Sequence, residues 1–360
     1  MNREFIRAID ELEKEKGISK DVLIEAIELA LVSAYKKNYG TSQNVRVSID
    51  REEGDIDVFM RKDVVDEVKD DLIEISLADA MEIDRRFVAG DIIEYQVTPR
   101  DFGRIAAQTA KQVVVQRIRE AERGMVFDDY INKQGEIVTG VVQRISNETV
   151  FINMGRAEGI LAAPEQAPGE TYTVNNRIKV YVMDVKKTTK GPQIYLSRSH
   201  PGLVKRLFEL EVPEIQDGSV EIKSIAREAG SRTKVAVYTE DEGIDPVGAC
   251  VGSRGSRVQN IADELFGEKI DIITWSDDAE TLIGKVLSPA KVEKVIISEG
   301  EKSAIAIVPD YQLSLAIGKE GQNVRLAAKL SGWKIDIKSH TQYFNDNSEE
   351  NEYVDEERAT

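Results

Sequence analysis

The chain has 360 residues, more than the roughly 100–200 of a typical single domain, which indicates several domains. It contains 65 acidic and 48 basic residues, a formal net charge of −17, but only one cysteine and two histidines. These counts exclude a disulfide framework and a cysteine-based zinc site, and they disfavour a catalytic site or metal centre built on histidine. No segment approaches the ~20 apolar residues of a membrane span and no signal peptide is recognisable, so we expect a cytoplasmic protein without a membrane partner.

The charge is unevenly distributed along the chain. Residues 1–130 have a net charge of −9, residues 201–300 of −7 and residues 345–360 of −6. Residues 131–200 and 301–344 are basic, with net charges of +3 and +2. Segments of opposite sign usually have different partners, so the acidic total does not exclude nucleic acid but restricts where it binds.

Residues 1–127 read as an α+β domain. A first amphipathic helix ends at Gly17, and a second follows Ser19 as its N-cap and stops at Gly40. The alternating runs NVRVSID and DIDVFM predict a β-hairpin, and DIIEYQV predicts a further strand. A helical pattern over residues 101–123 then continues towards the next domain as a connector.

Residues 133–199 follow the helical pattern with a series of short β-strand patterns. Five short β-rich runs are separated by Asn, Gly and Pro turns: EIVTGVVQRI, TVFINM, EGILA, RIKVYVMDV and PQIYLSR. Five strands in about 65 residues predict a small barrel of the OB-fold type. A β-barrel without a ligand is the alternative.

An internal repeat follows the predicted barrel. The segments CVGSRGSRVQNI and AIGKEGQNVRLA each place Gly-x-x-Gly between an apolar segment and an amphipathic helix. Each is preceded by an apolar strand and followed by the string Lys-Ile-Asp-Ile, at Lys269–Ile272 and Lys334–Ile337. We therefore predict two tandem KH domains of the α/β, prokaryotic type II class, over residues 200–280 and 281–344.

The Gly-x-x-Gly loops carry the predicted chemistry. Two glycines let a sugar–phosphate backbone approach closely, and the helix that follows offers N–H groups and a positive dipole end to phosphate. This is the KH mode of holding about four nucleotides of single strand. The predicted RNA-binding residues are Gly252, Ser253, Arg254, Gly255 and Arg257 in the first copy and Gly318, Lys319, Glu320, Gly321, Gln322, Asn323 and Arg325 in the second.

Other glycine-rich loops that bind phosphate have a different spacing. Neither copy has the spacing of a Walker loop or of a Rossmann fingerprint. Glycines that only allow helices to pack remain the alternative to a ligand site. Cys250 reads as a buried structural thiol, and no motif predicts a catalytic residue, a metal or a cofactor, so we do not expect an enzyme. Residues 345–360 are acidic, lack apolar periodicity and predict a disordered tail.

The chain resembles the NusA family of bacterial transcription elongation and termination factors over residues 1 to about 344. The resemblance is carried by DFGRIAAQTAKQVVVQRIREAER, QIYLSRSHPGLVKRLFELEVPEI, VGACVGSRGSRVQNI and LAIGKEGQNVRLAAKL. It implies that residues 1–127 dock on core RNA polymerase at the flap of the β subunit and that the remaining modules engage nascent single-stranded RNA. It further implies modulation of pausing, intrinsic termination and antitermination, together with other antitermination factors; we expect a monomer.

Within the predicted barrel, the resemblance implies an RNA-binding face with two aromatic side chains. Phe151 occupies one of these positions and Glu148 the other. The face nevertheless stays basic, with candidate RNA contacts at Arg144, Phe151, Arg156, Lys179, Lys186 and Lys187.

A second interpretation is an accessory subunit of RNA processing or a ribosome-associated RNA-binding factor. Phosphorolytic exoribonucleases also carry KH and OB modules, but there KH precedes OB and follows a large catalytic core. Here the predicted order is OB then KH, with only about 127 residues before them.

Overall fold

The computed structural model describes residues 3–39 and 44–345. The chain divides into two compact units, residues 1–126 and 127–360. The predicted disordered tail and the predicted helix stop at Gly40 fall outside the described residues, except that residue 345 is described.

The first unit is an α+β domain, as predicted. In chain order its elements are α1 (Arg3–Lys16), α2 (Lys20–Tyr39), β1 (Asn44–Ile49), β2 (Ile56–Val65), β3 (Glu74–Ser76), α3 (Leu77–Ile83), β4 (Ile92–Gln96) and α4 (Phe102–Ile131), the last of which runs into the second unit. Strand β2 pairs antiparallel with β1 and with β4 and parallel with β3. The short elements β3 and α3 were not predicted, because three strand residues carry no readable alternation.

Local sequence explains how these helices start, stop and pack. Gly17 adopts φ +67° and donates its N–H to the carbonyl of Glu13 at 3.0 Å, which closes α1. Apolar residues of α2 then pack against one face of the β1–β2 hairpin and the start of α4 to form the core of the unit. Helix α4 extends to Ile131, so the predicted domain limit at residue 127 lies inside this helix.

The second unit begins with a closed five-stranded barrel, which confirms the predicted OB-fold. Its strands are β5 (Ile137–Ser146), β6 (Thr149–Asn153), β7 (Glu158–Leu161), β8 (Arg177–Thr188) and β9 (Gly191–Ser197). Their order around the barrel is β5-β6-β7-β9-β8, in which only β7 and β9 run parallel. The alternating buried residues of each strand fill the barrel, so the intervening side chains face outward.

Two αββααβ domains follow, the order of elements of the prokaryotic type II KH fold. The first contains α5 (Pro201–Glu211), the short α6 (Pro213–Gln216), β10 (Glu221–Glu228), β11 (Arg232–Tyr238), α7 (Pro246–Val251), α8 (Ser256–Glu264) and β12 (Lys269–Thr274). The second contains α9 (Ala279–Val286), β13 (Lys294–Ser298), β14 (Ser303–Val308), α10 (Leu313–Ile317), α11 (Gln322–Ser331) and β15 (Lys334–Ser339). In each sheet the first two strands pair antiparallel and the last two parallel.

One hydrophobic cluster spans both KH domains. Ala226, Ala236 and Ile273 from the sheet of the first domain belong to the same buried cluster as Leu282 of α9 and Leu326 of α11 in the second. Burial of this apolar surface favours a fixed arrangement of the two domains over flexibly linked ones. Helix α9 begins at Ala279, inside the range 200–280 predicted for the first KH domain.

Candidate nucleic-acid interface

The two Gly-x-x-Gly loops have nearly the same backbone conformation. Gly252 has φ/ψ of 74°/177° and Gly318 of 77°/171°. The third residues, Arg254 at 52°/27° and Glu320 at 53°/26°, both lie in the left-handed region. This region costs a non-glycine residue roughly 1–2 kcal/mol, so the surrounding structure must hold both loops in the strained form.

The two glycines of each loop are required for different reasons. A Cβ atom on Gly252 would lie 2.7 Å from Cγ of Arg257, and one on Gly318 would lie 2.8 Å from the backbone nitrogen of Asn323. A Cβ atom on Gly255 would meet nothing within 4 Å. The first glycine is therefore needed for packing inside the loop. The second borders open space at Gly255, and at Gly321 the nearest atom is the flexible Arg325 Nη1 at 3.3 Å, so an external backbone can approach on this side.

The helices after the loops begin without a side-chain cap. Gly255 is the N-cap of α8 and Gly321 is the N-cap of α11, and neither helix has a side-chain hydrogen bond at that end. Amides of the first turn therefore lack the acceptor that Ser, Thr, Asp or Asn usually supplies. Such an end is suited to an anion, because the N–H groups and the helix dipole both favour negative charge.

Each loop exposes one cation. Arg254 in the first loop and Lys319 in the second are exposed, and within residues 3–39 and 44–345 neither makes an ion pair. Ser253 beside Arg254 is exposed as well. These side chains are free to reach a phosphate without first breaking an internal contact.

Arg257 and Asn323, both predicted RNA contacts, support the loops from beneath. The Arg257 guanidinium donates to the carbonyl of Ala249 at 2.6 Å and to Glu214 Oε2 at 2.8 Å. Asn323 is 3% exposed, and its Nδ2 donates to the carbonyls of Leu287 and Ala316, both at 2.9 Å. The buried Asn323 side chain thus ties the start of the helix after the loop to the backbone at Leu287 and Ala316.

Gln322 and Arg325 turn towards the first KH domain. The Nε2 of Gln322 donates to Glu228 Oε2 at 2.8 Å, and the Nε of Arg325 donates to Glu228 Oε1 at 3.1 Å. Both predicted RNA contacts therefore also lie at the interface between the two KH domains.

The barrel presents a row of outward side chains across four strands. Register places Arg144 opposite Phe151, Phe151 opposite Ile160 and Ile160 opposite Tyr195. The Arg144 guanidinium lies 3.4 Å from the centroid of the Phe151 ring and donates to Glu158 Oε1 at 2.9 Å. An aromatic ring with a guanidinium stacked on it is the kind of surface on which unpaired bases stack.

Tyr195 is the second aromatic of this row, and sequence reasoning missed it. The Nζ of Lys186 lies 5.2 Å from its ring centroid and 3.3 Å from Asp184 Oδ2. The available signal was the alternation in PQIYLSR, in which Ile194 and Leu196 point inward and Tyr195 therefore points outward. Tyr195 thus places a second aromatic ring on the same face as Phe151, from another strand.

The other basic residues predicted for the barrel are not gathered on this row. Lys179 pairs with Glu264 of the first KH domain at 3.0 Å, and Arg156 pairs with Asp129 at 3.1 Å. The Nζ of Lys187 lies 5.8 Å from the ring centroid of Phe127. Lys179 therefore contributes to the junction between domains, where its ammonium is engaged by a carboxylate.

Other kinds of site would need a reactive thiol, a cluster of metal ligands or a membrane-spanning helix. Burial raises the pKa of the Cys250 thiol to about 12, so the thiolate required of a nucleophile is not available near neutral pH. Among the described residues, no group of three or more His, Cys, Asp or Glu side chains is placed to hold a metal ion. No helix in the same part of the chain is both long and apolar enough to cross a membrane.

The first unit has an apolar groove. It is lined by α1 and α4, has a volume of about 610 Å³, and includes Phe5, Leu12 and Val114.

Comparison with known protein families matches four consecutive segments. Residues 4–124 match the NusA N-terminal domain and residues 132–197 the S1 RNA binding domain. Residues 198–275 match the NusA-like first KH domain and residues 279–345 the NusA-like second KH domain.

Curated relatives match nearly the whole chain. The transcription termination/antitermination protein NusA of Bacillus subtilis (strain 168) is 60% identical over 341 residues, which cover 95% of this chain and 92% of the relative. The protein of the same name from Halalkalibacterium halodurans is 60% identical over 342 residues, 95% of this chain and 90% of the relative. A solution structure of the N-terminal domain of NusA from B. subtilis is 62% identical, covers 34% of this chain and 99% of that domain, and has a TM-score of 0.32.

Proposed function

Because the chain belongs to the NusA family of transcription termination/antitermination proteins, we propose that it regulates transcription by binding RNA polymerase and the nascent transcript together. The first unit attaches to core polymerase at the β-subunit flap. The barrel and the two KH domains hold single-stranded RNA as it emerges. The protein acts in the cytoplasm as a monomer and without catalysis of its own, alongside other antitermination factors.

One observation carries the RNA-binding part of the proposal: the same strained Gly-x-x-Gly loop occurs twice, each time before an uncapped helix N-terminus. Strain of this kind is retained where the conformation serves a purpose. A phosphate at each helix N-terminus, with Arg254 or Lys319 beside it, would account for both features.

Holding RNA explains how such a protein acts on pausing and termination. An RNA strand held in single-stranded form cannot pair into the hairpin that an intrinsic terminator requires, whereas a strand released at the right point can. Several weak sites on one compact unit gain affinity through effective concentration, and tethering to polymerase raises that concentration further. Each KH loop therefore need bind only weakly by itself.

The loops are tested by replacing Ser253 and Arg254 with Asp in the first copy and Lys319 and Glu320 with Asp in the second. Aspartate tolerates the left-handed region, so the loops should keep their shape while repelling phosphate. We expect the affinity for unstructured single-stranded RNA, measured by fluorescence anisotropy, to fall by roughly tenfold or more.

Two further measurements complete this test. Co-purification of polymerase with the loop variant should be unchanged, because the first unit is intact. RNA affinity equal to that of the unmodified chain in the variant with both loops altered would reject the loops as the RNA clamp.

A further inference from the structure

The turn between β10 and β11 of the first KH domain, residues 228–231, is a meeting point of three domains. Gly230 adopts φ +73°, and a Cβ atom there would lie 2.0 Å from the carbonyl oxygen of Pro168 in the barrel. On its other side, the turn contacts the second KH domain through Glu228 and Ser231. A residue of this turn is therefore placed to affect how the RNA-binding modules are arranged.

Glu228 is held by two side chains of the second KH domain. Its carboxylate accepts from Gln322 Nε2 at 2.8 Å and from Arg325 Nε at 3.1 Å, and the same Gln322 Nε2 lies 2.8 Å from Ser231 Oγ. Burial opposes ionisation, but the hydrogen bonds from Gln322 and Arg325 prevail and hold the pKa of Glu228 below its ordinary value. The carboxylate is therefore ionised at neutral pH and paired with the Arg325 guanidinium.

Arg325 extends this contact to the second Gly-x-x-Gly loop. Its Nη1 donates to the backbone carbonyl of Glu320, the loop residue in the left-handed conformation. A continuous path of hydrogen bonds thus runs from Glu228 in the first domain, through Arg325, to the backbone of the loop in the second. No equivalent contact from the barrel or the second KH domain reaches Arg254 among the described residues.

The turn itself is firmly held within the first domain. The N–H of Gly230 donates to Glu268 Oε2 at 2.9 Å, and the fully buried Arg227–Glu268 pair lies directly behind it. Buried, hydrogen-bonded ion pairs are costly to disrupt, so the turn offers a rigid base for Glu228. A movement of the second loop relative to the first domain would have to break the Glu228 contacts.

We infer that Glu228 is a positioning residue that fixes the second Gly-x-x-Gly loop relative to the first KH domain, so that one RNA strand engages both loops in a single register. This inference rests on the proposed RNA-binding function. Glu228 is not expected to contact RNA. Its effect is on the effective concentration of the second loop for a strand already held by the first.

The test compares two RNA probes on the full chain by fluorescence anisotropy. One probe is an unstructured strand of about 4 nucleotides, which fills a single loop, and the other has roughly 12 nucleotides and reaches beyond it. In Glu228→Gln we expect affinity for the longer strand to fall about threefold to tenfold, while affinity for the short strand stays unchanged. The matched control is Glu221→Gln at the opposite end of β10, and it should leave both affinities unchanged. In the described part of the chain the Glu221 carboxylate forms an ion pair with Lys223 alone.

Three results would contradict the inference, and each can be told from the others. A rise in affinity for both strands would show that Glu228 merely neutralises Arg325, and it would overturn the inference. A lower melting temperature with an unchanged ratio of the two affinities would also overturn it, since it would reveal a purely structural role. If the unmodified chain bound neither strand, the proposed function itself would fail, and the inference with it.

A second variant guards against loss of folding in Glu228→Gln. Ser231→Ala removes one partner of Gln322 without changing any charge. It should lower the ratio of long-strand to short-strand affinity in the same direction by a smaller factor, and an unchanged ratio in a folded Ser231→Ala chain would count against the inference.

Discussion

At the scale of single residues, spacing in the sequence located the loops but did not show which side chains face a ligand. Arg254 and Lys319 are exposed and unpaired in the described part of the chain, as an RNA contact requires. Arg257 and Asn323 lie only a few residues away, yet they point under the loops and hydrogen-bond to backbone carbonyls. The helical turn that follows each loop rotates successive side chains by about 100°, so neighbours in sequence have opposite surroundings.

The distinct roles of the two glycines lead to a stability prediction. In Gly318→Ala the new methyl group would meet the backbone nitrogen of Asn323 at 2.8 Å, and that atom cannot move aside. In Gly321→Ala the nearest atom is the flexible Arg325 Nη1 at 3.3 Å. Urea unfolding should show a loss of roughly 2–4 kcal/mol for Gly318→Ala and about 1–2 kcal/mol, the cost of positive φ alone, for Gly321→Ala.

Gly321→Ala is the control for this prediction, because Gly321 has nearly the same φ as Gly318 but a ψ of 15° instead of 171°, which lies in the left-handed region that an alanine can adopt. Equal losses in the two variants would mean that the close approach at Gly318 relaxes at little cost.

At the scale of elements, local apolar patterns were enough to predict the five barrel strands and the four strands that flank the Gly-x-x-Gly loops. The outward row of the barrel could be recognised only from the pairing of strands, because Arg144, Phe151 and Tyr195 come together only through register. Junctions between domains required the packed structure as well. Arg198, directly after β9, is fully buried between the barrel and the first KH domain, although nothing in its sequence surroundings marks it.

Arg198 provides the prediction for this junction. Its Nε donates to Glu170 Oε2 at 2.9 Å, and its Nη1 and Nη2 donate to the carbonyls of Lys179 and Glu264, both at 2.8 Å. Arg198→Ala would leave Glu170, whose side chain is 1% exposed, as an uncompensated buried charge. We expect the free energy of unfolding, measured in urea, to fall by about 3–5 kcal/mol.

Arg144, on the barrel surface, provides an exposed control for the Arg198→Ala substitution. The Arg144–Glu158 pair is also an Arg–carboxylate pair, but half of the Arg144 side chain is exposed. Arg144→Ala should therefore cost no more than about 1 kcal/mol. A cost for Arg198→Ala no larger than this would contradict a structural role for the buried pair.

At the scale of the whole molecule, the net charge of −17 is the sum of basic and acidic segments of the chain. Residues 131–200 and 301–344 are net positive, whereas residues 1–130 and the acidic end of the chain carry most of the excess negative charge. The first KH domain is itself net acidic, so the RNA contacts that we propose for it are confined to the loop around Arg254. The acidic first unit is consistent with a protein partner, and its apolar groove between α1 and α4 is a surface suited to one.

Removal of residues 1–126 tests whether polymerase binding and RNA binding belong to different units of the chain. The cut retains Phe127, whose ring lies near Lys187 of the barrel. We expect the shortened chain to keep its affinity for single-stranded RNA and to lose co-purification with polymerase, measured by anisotropy and by pull-down. The variant with altered loops should show the reverse pattern. Retention of polymerase binding by the shortened chain would place that contact outside the first unit.

The sequence by itself determined the architecture: an α+β unit, a small barrel and two copies of a KH domain with their Gly-x-x-Gly loops. Apolar periodicity, turn residues and an internal repeat are local signals, so they survive in a one-dimensional string. Only the tertiary structure decided that Gln322 and Arg325 reach Glu228, that Tyr195 joins Phe151, and that Lys179 faces Glu264. These contacts join residues between 44 and 97 positions apart along the chain, and packing and strand register, which no local pattern records, decide which residues meet.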